Sequence, residues 1–281
     1  MRTDLANESQ MHMQSENGIL KHLENRDGIE VLRIDVLTEE ASKILDKPIG
    51  RYITITSTIQ DMMDREERTR LSEVLAAEMN TMAKSKKNPM IVGLGNRYIA
   101  ADALGTKTTE HVFATRHIHK HMKNLLPSET PSVSAFCASV LGMTGMETVE
   151  VVSALTRQIS PDLLILIDSL AASRIEHLGC VIQCNDSGIA PGAGVGNFQT
   201  ILSSDSLGVP VIAVGIPLVV SADAIVNNCE CTMKSDSLLH DLIVTPKDID
   251  AMVKDASRVL SDAINRMLFG ETYNEVEKLL R

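Results

Sequence analysis

The chain has 281 residues, enough for one large domain or two small ones with a sizeable core. Hydrophobic residues make up 44% and charged residues 23%, as in soluble globular proteins, and the net charge of −10 argues against a nucleic-acid-binding surface. The amino terminus shows no apolar signal segment, and the longest apolar run is too short to cross a membrane. The five cysteines fit reduced thiols better than a disulfide framework. We therefore expect a cytoplasmic protein with no nucleic-acid or membrane partner.

The first half of the chain predicts a polar arm followed by strands and helices. Residues 1–28 show no clear period and predict a loosely attached N-terminal arm, whereas residues 29–281 predict a single α/β domain. Within that domain, apolar alternation and helical spacing predict strands at 29–37, 51–59 and 89–94, and helices at 64–83 and 110–124.

The second half continues the alternation of strand and helix. Thr144 and Glu147 have the spacing of a capping box, which predicts a helix from Thr144 to Ile159. The other predicted elements are strands at 132–141, 163–167, 180–184 and 209–214, helices at 169–178 and 198–207, and a helical tail from Ser235. This alternation is typical of a mostly parallel sheet flanked by helices, and an α/β fold of that kind is the predicted class.

Three aspartates, Asp102, Asp168 and Asp186, follow short apolar strands. Ligands of open α/β sheets bind beyond the carboxyl ends of the strands, so two of these side chains could meet in one crevice. Two such carboxyl groups would share a proton, with one activating water and the other protonating the leaving amine. An aspartate at a strand end is equally often a helix cap or a turn residue, and the pattern alone leaves both interpretations open.

Other motifs carry weaker signals. The glycine turn at 192–196, which includes Gly194, lacks the spacing of a nucleotide-binding loop and favours a tight loop beside a site. His117, His119 and His121, and the pair Cys229 and Cys231, lack the spacing of zinc ligands, so no metal is expected. No nucleophile motif of the G-x-S-x-G type occurs, which disfavours acyl-enzyme chemistry.

Five motifs in chain order resemble the germination protease (spore protease) family of endospore-forming bacteria. They are RTDLA at 2–6, GLGN with DALG at 93–105, GMTGMET at 142–148, IDSLAA at 167–172 and DSGIAPGAGVGN at 186–197. The match is colinear from about residue 91 to residue 221.

The resemblance implies an endopeptidase that degrades small acid-soluble spore proteins in the cytoplasm of the germinating spore (the spore core). It implies an atypical aspartic mechanism in which Asp102 and Asp168 are the catalytic pair, with no cofactor and no metal. It also implies a fold similar to the hydrogenase-maturation peptidases, a homotetramer and synthesis as a zymogen. Thr144, Gly145, Asp186 and Gly194 are the candidate supporting or substrate-binding residues, and the N–H groups at the predicted helix start would polarise a substrate carbonyl.

The amino terminus resembles a cleavage site of the same family. Residues 3–8, TDLANE, are similar to the Thr-Glu-(Phe/Ile)-Ala-Ser-Glu pattern in which the family's substrates are cut. The resemblance thus implies self-processing between Asp4 and Leu5, which would release a segment of four residues. Two alternatives stay open: a metal-dependent maturation peptidase on the same fold, and a catalytically idle scaffold or binding protein.

Overall fold

The computed structural model describes residues 3–10, 18–57, 62, 64–192, 200–228 and 242–280. Their strands form one sheet in the order β1-β2-β3-β7-β8-β6-β4-β5, and β9 pairs with the far end of β8. The strands are β1 (Ile19–Arg26), β2 (Ile29–Val36), β3 (Gly50–Thr56), β4 (Pro89–Gly93), β5 (Ser134–Cys137), β6 (Leu163–Ala172), β7 (Val181–Asn185), β8 (Val211–Ser221) and β9 (Ile243–Val244).

Helices pack on both faces of this sheet. They are α1 (Glu39–Leu45), α2 (Arg65–Met82), α3 (Leu104–Thr109), α4 (Arg116–His121), α5 (Leu141–Thr144), α6 (Thr148–Ile159), α7 (Ser204–Leu207), α8 (Ala222–Asn228), α9 (Ile249–Phe269) and α10 (Tyr273–Leu280). None of the described helices is both long and apolar enough to span a membrane.

The sheet has a parallel half and an antiparallel half. Strands β5, β4, β6 and β8 run parallel, whereas β7, β3, β2 and β1 continue the sheet with antiparallel pairs. The α/β class is confirmed, and the sheet is mixed rather than mostly parallel. The carboxyl ends of β4 and β6 therefore meet at one edge of the sheet, while β7 ends at the opposite edge.

The core lies on the two faces of the parallel half. On one face, α2 and α9 pack together over Ile91, Ile165 and Ile212. On the other face, α6 covers Val92 and its strand neighbours with an apolar stripe. Each fully buried aliphatic side chain of this kind contributes about 1.5–3 kcal/mol relative to exposure. Such packing fixes the strand ends that carry the candidate site.

Part of the predicted N-terminal arm belongs to the sheet. Residues 19–26 form β1, which pairs with β2 in a tight hairpin. Asp27 and Gly28 both adopt positive φ, 52° and 91°, as a two-residue hairpin loop requires. The prediction of a loose arm over 1–28 was wrong for this stretch because the Asp-Gly turn signal was overlooked.

Several predicted boundaries were also wrong. Residues 169–172 continue strand β6 instead of starting a helix, and only a single 3₁₀ turn, Ile175–His177, follows. β8 runs past Gly215 to Ser221, because Pro217 sits where the pairing with β6 shifts register and needs no ladder N–H. The predicted helix at 110–124 is confined to α4, and the one at 198–207 to α7 within the described residues.

Candidate active site

Asp168 lies on β6, with its side chain almost completely buried. It is 5% exposed, and the N–H of Ser169 donates to Oδ1 over 2.9 Å. In the ladder it stands opposite Gly215 of β8, and Gly215 stands opposite Gln183 of β7. Residues directly opposite one another point to the same face, so Asp168 and Gln183 share a face, and the Leu170 side chain covers Gly215 between them, 2.8 Å from where a Cβ would lie.

Asp102 reaches the same edge from the loop after β4. A 3₁₀ turn, Ala100–Asp102, carries it, and the N–H of Asn96 donates to its Oδ2 over 2.7 Å. Gly95 has a φ of 89°, and a Cβ there would lie 2.7 Å from Asp102 Oδ1. A side chain at position 95 would therefore displace the carboxylate, which explains why the loop carries glycine.

Gly105 determines how closely the segment that carries Asp102 packs against β6. A Cβ on Gly105 would lie 2.5 Å from the Leu94 carbonyl oxygen and would also collide with the Ile167 carbonyl. The absence of a side chain lets α3 rest directly on the ends of β4 and β6, which are tied there by the Leu94 N–H to Ile167 O bond of 2.8 Å. The sequence Asp-Ala-Leu-Gly thus brings Asp102 close to Asp168, the residue that follows Ile167.

The two aspartates line one cavity of about 800 Å³. Asp4 and Glu147 also line it, and among the described residues no lysine, arginine or histidine does. Burial raises the pKa of Asp168 well above its usual value, and the charges of Asp102 and Asp4 raise it further. The hydrogen bond from the Ser169 N–H acts in the opposite direction but does not cancel this rise. Burial also raises the pKa of Asp102, against the opposing Asn96 N–H. Burial and the neighbouring acidic groups thus favour the protonated form of Asp168 over its charged form.

The chain's own amino-terminal segment is docked at the rim of this cavity. The Asp4 N–H donates to Ala171 O over 3.0 Å, and the Ala171 N–H donates back to Asp4 Oδ2 over 2.8 Å. Leu5 is fully buried in a small apolar cluster with Leu170, Ala172 and Val181. Residues 3–8 are therefore held like a peptide across the end of β6.

Gln183 clamps the segment on both sides of Leu5. Its Nε2 donates to the Asp4 carbonyl oxygen over 2.8 Å, and its Oε1 accepts the Ala6 N–H over 2.6 Å. Sequence reasoning missed this residue. The available signal was a glutamine inside an otherwise apolar buried strand, between Ile182 and Cys184, because a buried polar side chain in such a strand needs partners.

The helix start near Thr144 differs from the prediction. Thr144 ends α5 and accepts the Met146 N–H over 3.2 Å, and Gly145 follows with a φ of 70°. The longer helix α6 begins at Thr148, with Glu150 accepting the Glu147 N–H over 3.0 Å. The capping box was therefore predicted three residues too early. Thr144 and Glu147 have the Thr-x-x-Glu spacing, but Thr144 ends the short helix α5 and Glu147 is the N-cap of α6. Glu147 and Thr148, rather than Thr144 and Gly145, line the cavity.

The other predicted supporting residues do not join the aspartate pair. Asp186 accepts the Arg51 N–H over 2.7 Å at the opposite edge of the sheet, because β7 runs antiparallel to β8. It supports the turn after β7 and does not converge with Asp168. Gly194 lies outside the described residues, as do Cys229 and Cys231.

No three histidine, cysteine, aspartate or glutamate side chains of the described residues are grouped so that they could hold a metal ion. His117, His119 and His121 all lie on α4, and none of them lines the cavity of the aspartate pair. His119 instead contacts the Pro131 carbonyl oxygen through Nε2 over 3.3 Å.

A family model described as germination protease matches residues 1–235 of the chain. The chain belongs to the germination protease family. It is 37% identical to a germination protease of Caldanaerobacter subterraneus subsp. tengcongensis, with 100% of this chain and 98% of the relative covered. It is 35% identical to one from Clostridium perfringens strain SM101 and 31% identical to one from Priestia megaterium, with at least 94% of every chain covered. Family membership establishes a protease with a function in spores.

Among solved structures, the chain is similar to a [NiFe] hydrogenase maturation protease, HycI, from Thermococcus kodakarensis KOD1. The two share 16% identity with a TM-score of 0.39, over 66% of this chain and 98% of the other. A likeness of this size carries no argument about the site of this germination protease, whose α/β class rests on its own sheet.

Proposed function

We propose that the chain is an aspartic-type endopeptidase that degrades small acid-soluble spore proteins in the spore core during germination. The observation that carries the proposal is the meeting of Asp102 with the buried Asp168 in one cavity beside a docked peptide segment. The raised pKa of both carboxyl groups suits general acid and base catalysis, because a carboxyl group that keeps its proton can act as the acid. No cofactor takes part in this proposal.

The two aspartates have different roles in the proposed reaction. Asp168 is the more deeply buried, so it is the group that keeps the shared proton and donates to the substrate carbonyl oxygen. Asp102 is less buried and its pKa is raised less strongly than that of Asp168, so in the proposed reaction it is the carboxylate that takes a proton from water as that water attacks the carbonyl carbon. Collapse of the tetrahedral intermediate breaks the C–N bond, and the proton held by the pair passes to the leaving amine.

Digestion of a purified small acid-soluble spore protein tests this function. We expect cleavage that is unchanged by a chelator. Cleavage abolished by the chelator and restored by a divalent metal would favour the metal-dependent alternative. Intact substrate under all conditions would favour the idle scaffold.

We also propose that the chain cuts itself between Asp4 and Leu5. The Asp4 carboxylate lines the cavity of the aspartate pair, and Gln183 holds the Asp4 carbonyl oxygen. Because the segment is tethered, its local concentration exceeds that of a free peptide.

Mass spectrometry of the protein at mildly acidic pH should show loss of residues 1–4 at a rate independent of protein concentration. Asp168→Asn should stay intact, whereas Asp205→Asn, at an exposed position on α7, should be trimmed like the unaltered chain. An intact terminus in a chain that cleaves spore protein would contradict self-processing.

We also propose that the chain forms a homo-oligomer, expected to be a tetramer. Leu20 and Leu23 of the edge strand β1 are 60% and 62% exposed, as suits a surface covered by another copy. Light scattering should give four times the mass of the chain, 30.6 kDa, and a monomer at micromolar concentration would contradict this part.

A further inference from the structure

The docked segment places a second side chain, besides Leu5, in a closed pocket. Glu8 turns back under the chain after β6, and its side chain is 1% exposed. A buried carboxylate is costly unless donors surround it. The pocket around Glu8 therefore has to be specific for that charge.

Four donors from one short stretch of chain surround the Glu8 carboxylate. The N–H and Oγ of Ser173 lie 2.8 and 2.7 Å from Oε2. The N–H of Arg174 lies 3.0 Å from Oε1, and Nδ1 of His177 lies 2.7 Å from the same oxygen. Thr3 of the segment itself adds a further hydroxyl contact. The guanidinium of Arg174 points to Glu176 instead, so the pocket consists of the backbone, Ser173 and His177.

These donors suit a carboxylate better than its neutral isostere. Burial acts to raise the pKa of Glu8, but the hydrogen bonds from His177, Thr3 and Ser173 outweigh it and hold the pKa below its usual value. A glutamine in the same place would turn an NH₂ group towards at least one donor, which leaves buried hydrogen-bonding groups unpaired.

The two pockets have a fixed spacing along the bound chain. On either side of Leu5, Gln183 pins the backbone at Asp4 and Ala6, and Lys47 Nζ donates to the Thr3 carbonyl oxygen over 2.6 Å. A peptide in the same pose presents its side chains to the apolar pocket and to the carboxylate pocket at positions three residues apart, as Leu5 and Glu8 do.

We propose that Ser173, the Arg174 N–H and His177 form a substrate subsite that selects an acidic residue three positions after the aliphatic residue in the Leu5 pocket. In the intact chain, residues 3–8 occupy this subsite. Peptides with a large aliphatic residue followed by glutamate at that spacing compete for it. The inference rests on the proposed function, since it names how that peptidase chooses its substrates.

Peptide binding and cleavage test the subsite separately. The protein is the full chain with Leu5→Asp and Glu8→Gln, so that its own segment fills neither pocket. The probes are fluorescein-labelled Thr-Asp-Leu-Ala-Asn-Glu-Ser-Gln and the same peptide with glutamine in place of glutamate. Fluorescence anisotropy gives Kd for each peptide, with Asp168→Asn added to prevent cutting, and kcat/KM is measured without that change.

We expect the glutamate peptide to bind at least 10-fold more tightly than the glutamine peptide. Adding Ser173→Ala and His177→Phe should reduce that ratio below about 3-fold. His111→Phe, at an exposed histidine outside both pockets, should leave the ratio unchanged. Equal binding of the two peptides, binding of neither, or a ratio unaffected by the pocket variants would overturn the subsite. Selective binding without any cleavage would keep the subsite and overturn the proposed peptidase function.

Discussion

At the scale of single residues, the site depends on carboxyl groups placed where ionisation is unfavourable. Asp168 is almost completely enclosed, and its neighbours Asp102 and Asp4 are also acidic. A raised pKa in the folded state means that folding becomes less favourable as the pH rises above the unfolded-state value of 3.8, because the unfolded chain then releases a proton that the folded chain keeps. The buried carboxyl group of Asp168 therefore lowers the stability of the protein at neutral pH.

Asp168→Asn should stabilise the fold increasingly as the pH rises. Asparagine has nearly the same shape, can accept the Ser169 N–H and cannot ionise. The gain in unfolding free energy should therefore increase from pH 4 to pH 8, because only the unaltered chain has to keep its buried proton on folding. Urea unfolding at pH 4, 6 and 8 measures it, with Asp205→Asn as the exposed control. A gain that does not grow with pH would contradict the raised pKa.

Thr144→Ala should have little effect on turnover. Its hydroxyl accepts a local N–H in an exposed turn, and the side chain does not line the aspartate cavity. The loss of that bond should cost at most about 1 kcal/mol of stability. Kinetic measurements check the turnover of the variant, and thermal melting checks its stability. A turnover reduced 10-fold or more would show that Thr144 contributes to the site.

At the scale of elements, the contact of α3 with the strand ends determines the position of Asp102. The helix can approach the carbonyl groups of Leu94 and Ile167 only because Gly105 has no side chain. Asp102 lies one turn ahead of this contact. Its position relative to Asp168 is therefore set by helix packing.

Gly105→Ala should separate the two aspartates. The new Cβ would lie 2.5–2.6 Å from backbone atoms of Leu94, so α3 has to move. We expect a loss of about 1–3 kcal/mol of stability, typical of overpacking, and a turnover that is reduced at least 10-fold. Gly142→Ala is the stability control, since its Cβ meets no atom within 4 Å. An unaltered melting temperature and an unaltered turnover in Gly105→Ala would contradict this account.

The sequence predicted the strands that carry the site better than their directions. The apolar run from Leu163 and the aspartate after Ile167 were recognisable, since a buried strand leaves a local pattern. The reversal of β7, which takes Asp186 to the other edge, depends on tertiary pairing and leaves no such pattern. The continuation of β6 through Ala172 was missed for a similar reason, because the docked segment supplies part of its hydrogen bonding.

At the scale of the whole molecule, the amino terminus folds back over the end of the sheet. Its first described residues contact β6, β7 and the turn that follows β6, although 166 to 179 residues separate the partners in sequence. Composition alone indicated a loose arm, since polar residues dominate there. The arm is instead held by specific pockets, and this arrangement links the proposed self-processing to substrate selection.

The most direct test of the central claim is cleavage of a purified small acid-soluble spore protein by Asp102→Asn, Asp168→Asn and Asp205→Asn at mildly acidic pH. Circular dichroism and melting curves first establish that each variant is folded. We predict that turnover falls at least about 100-fold in the first two variants, because removing an acid or base of this kind costs roughly 10²–10⁴-fold, and that it is unchanged in the third. Near-native turnover in a folded Asp102→Asn or Asp168→Asn protein would contradict the assignment of that residue to the catalytic pair.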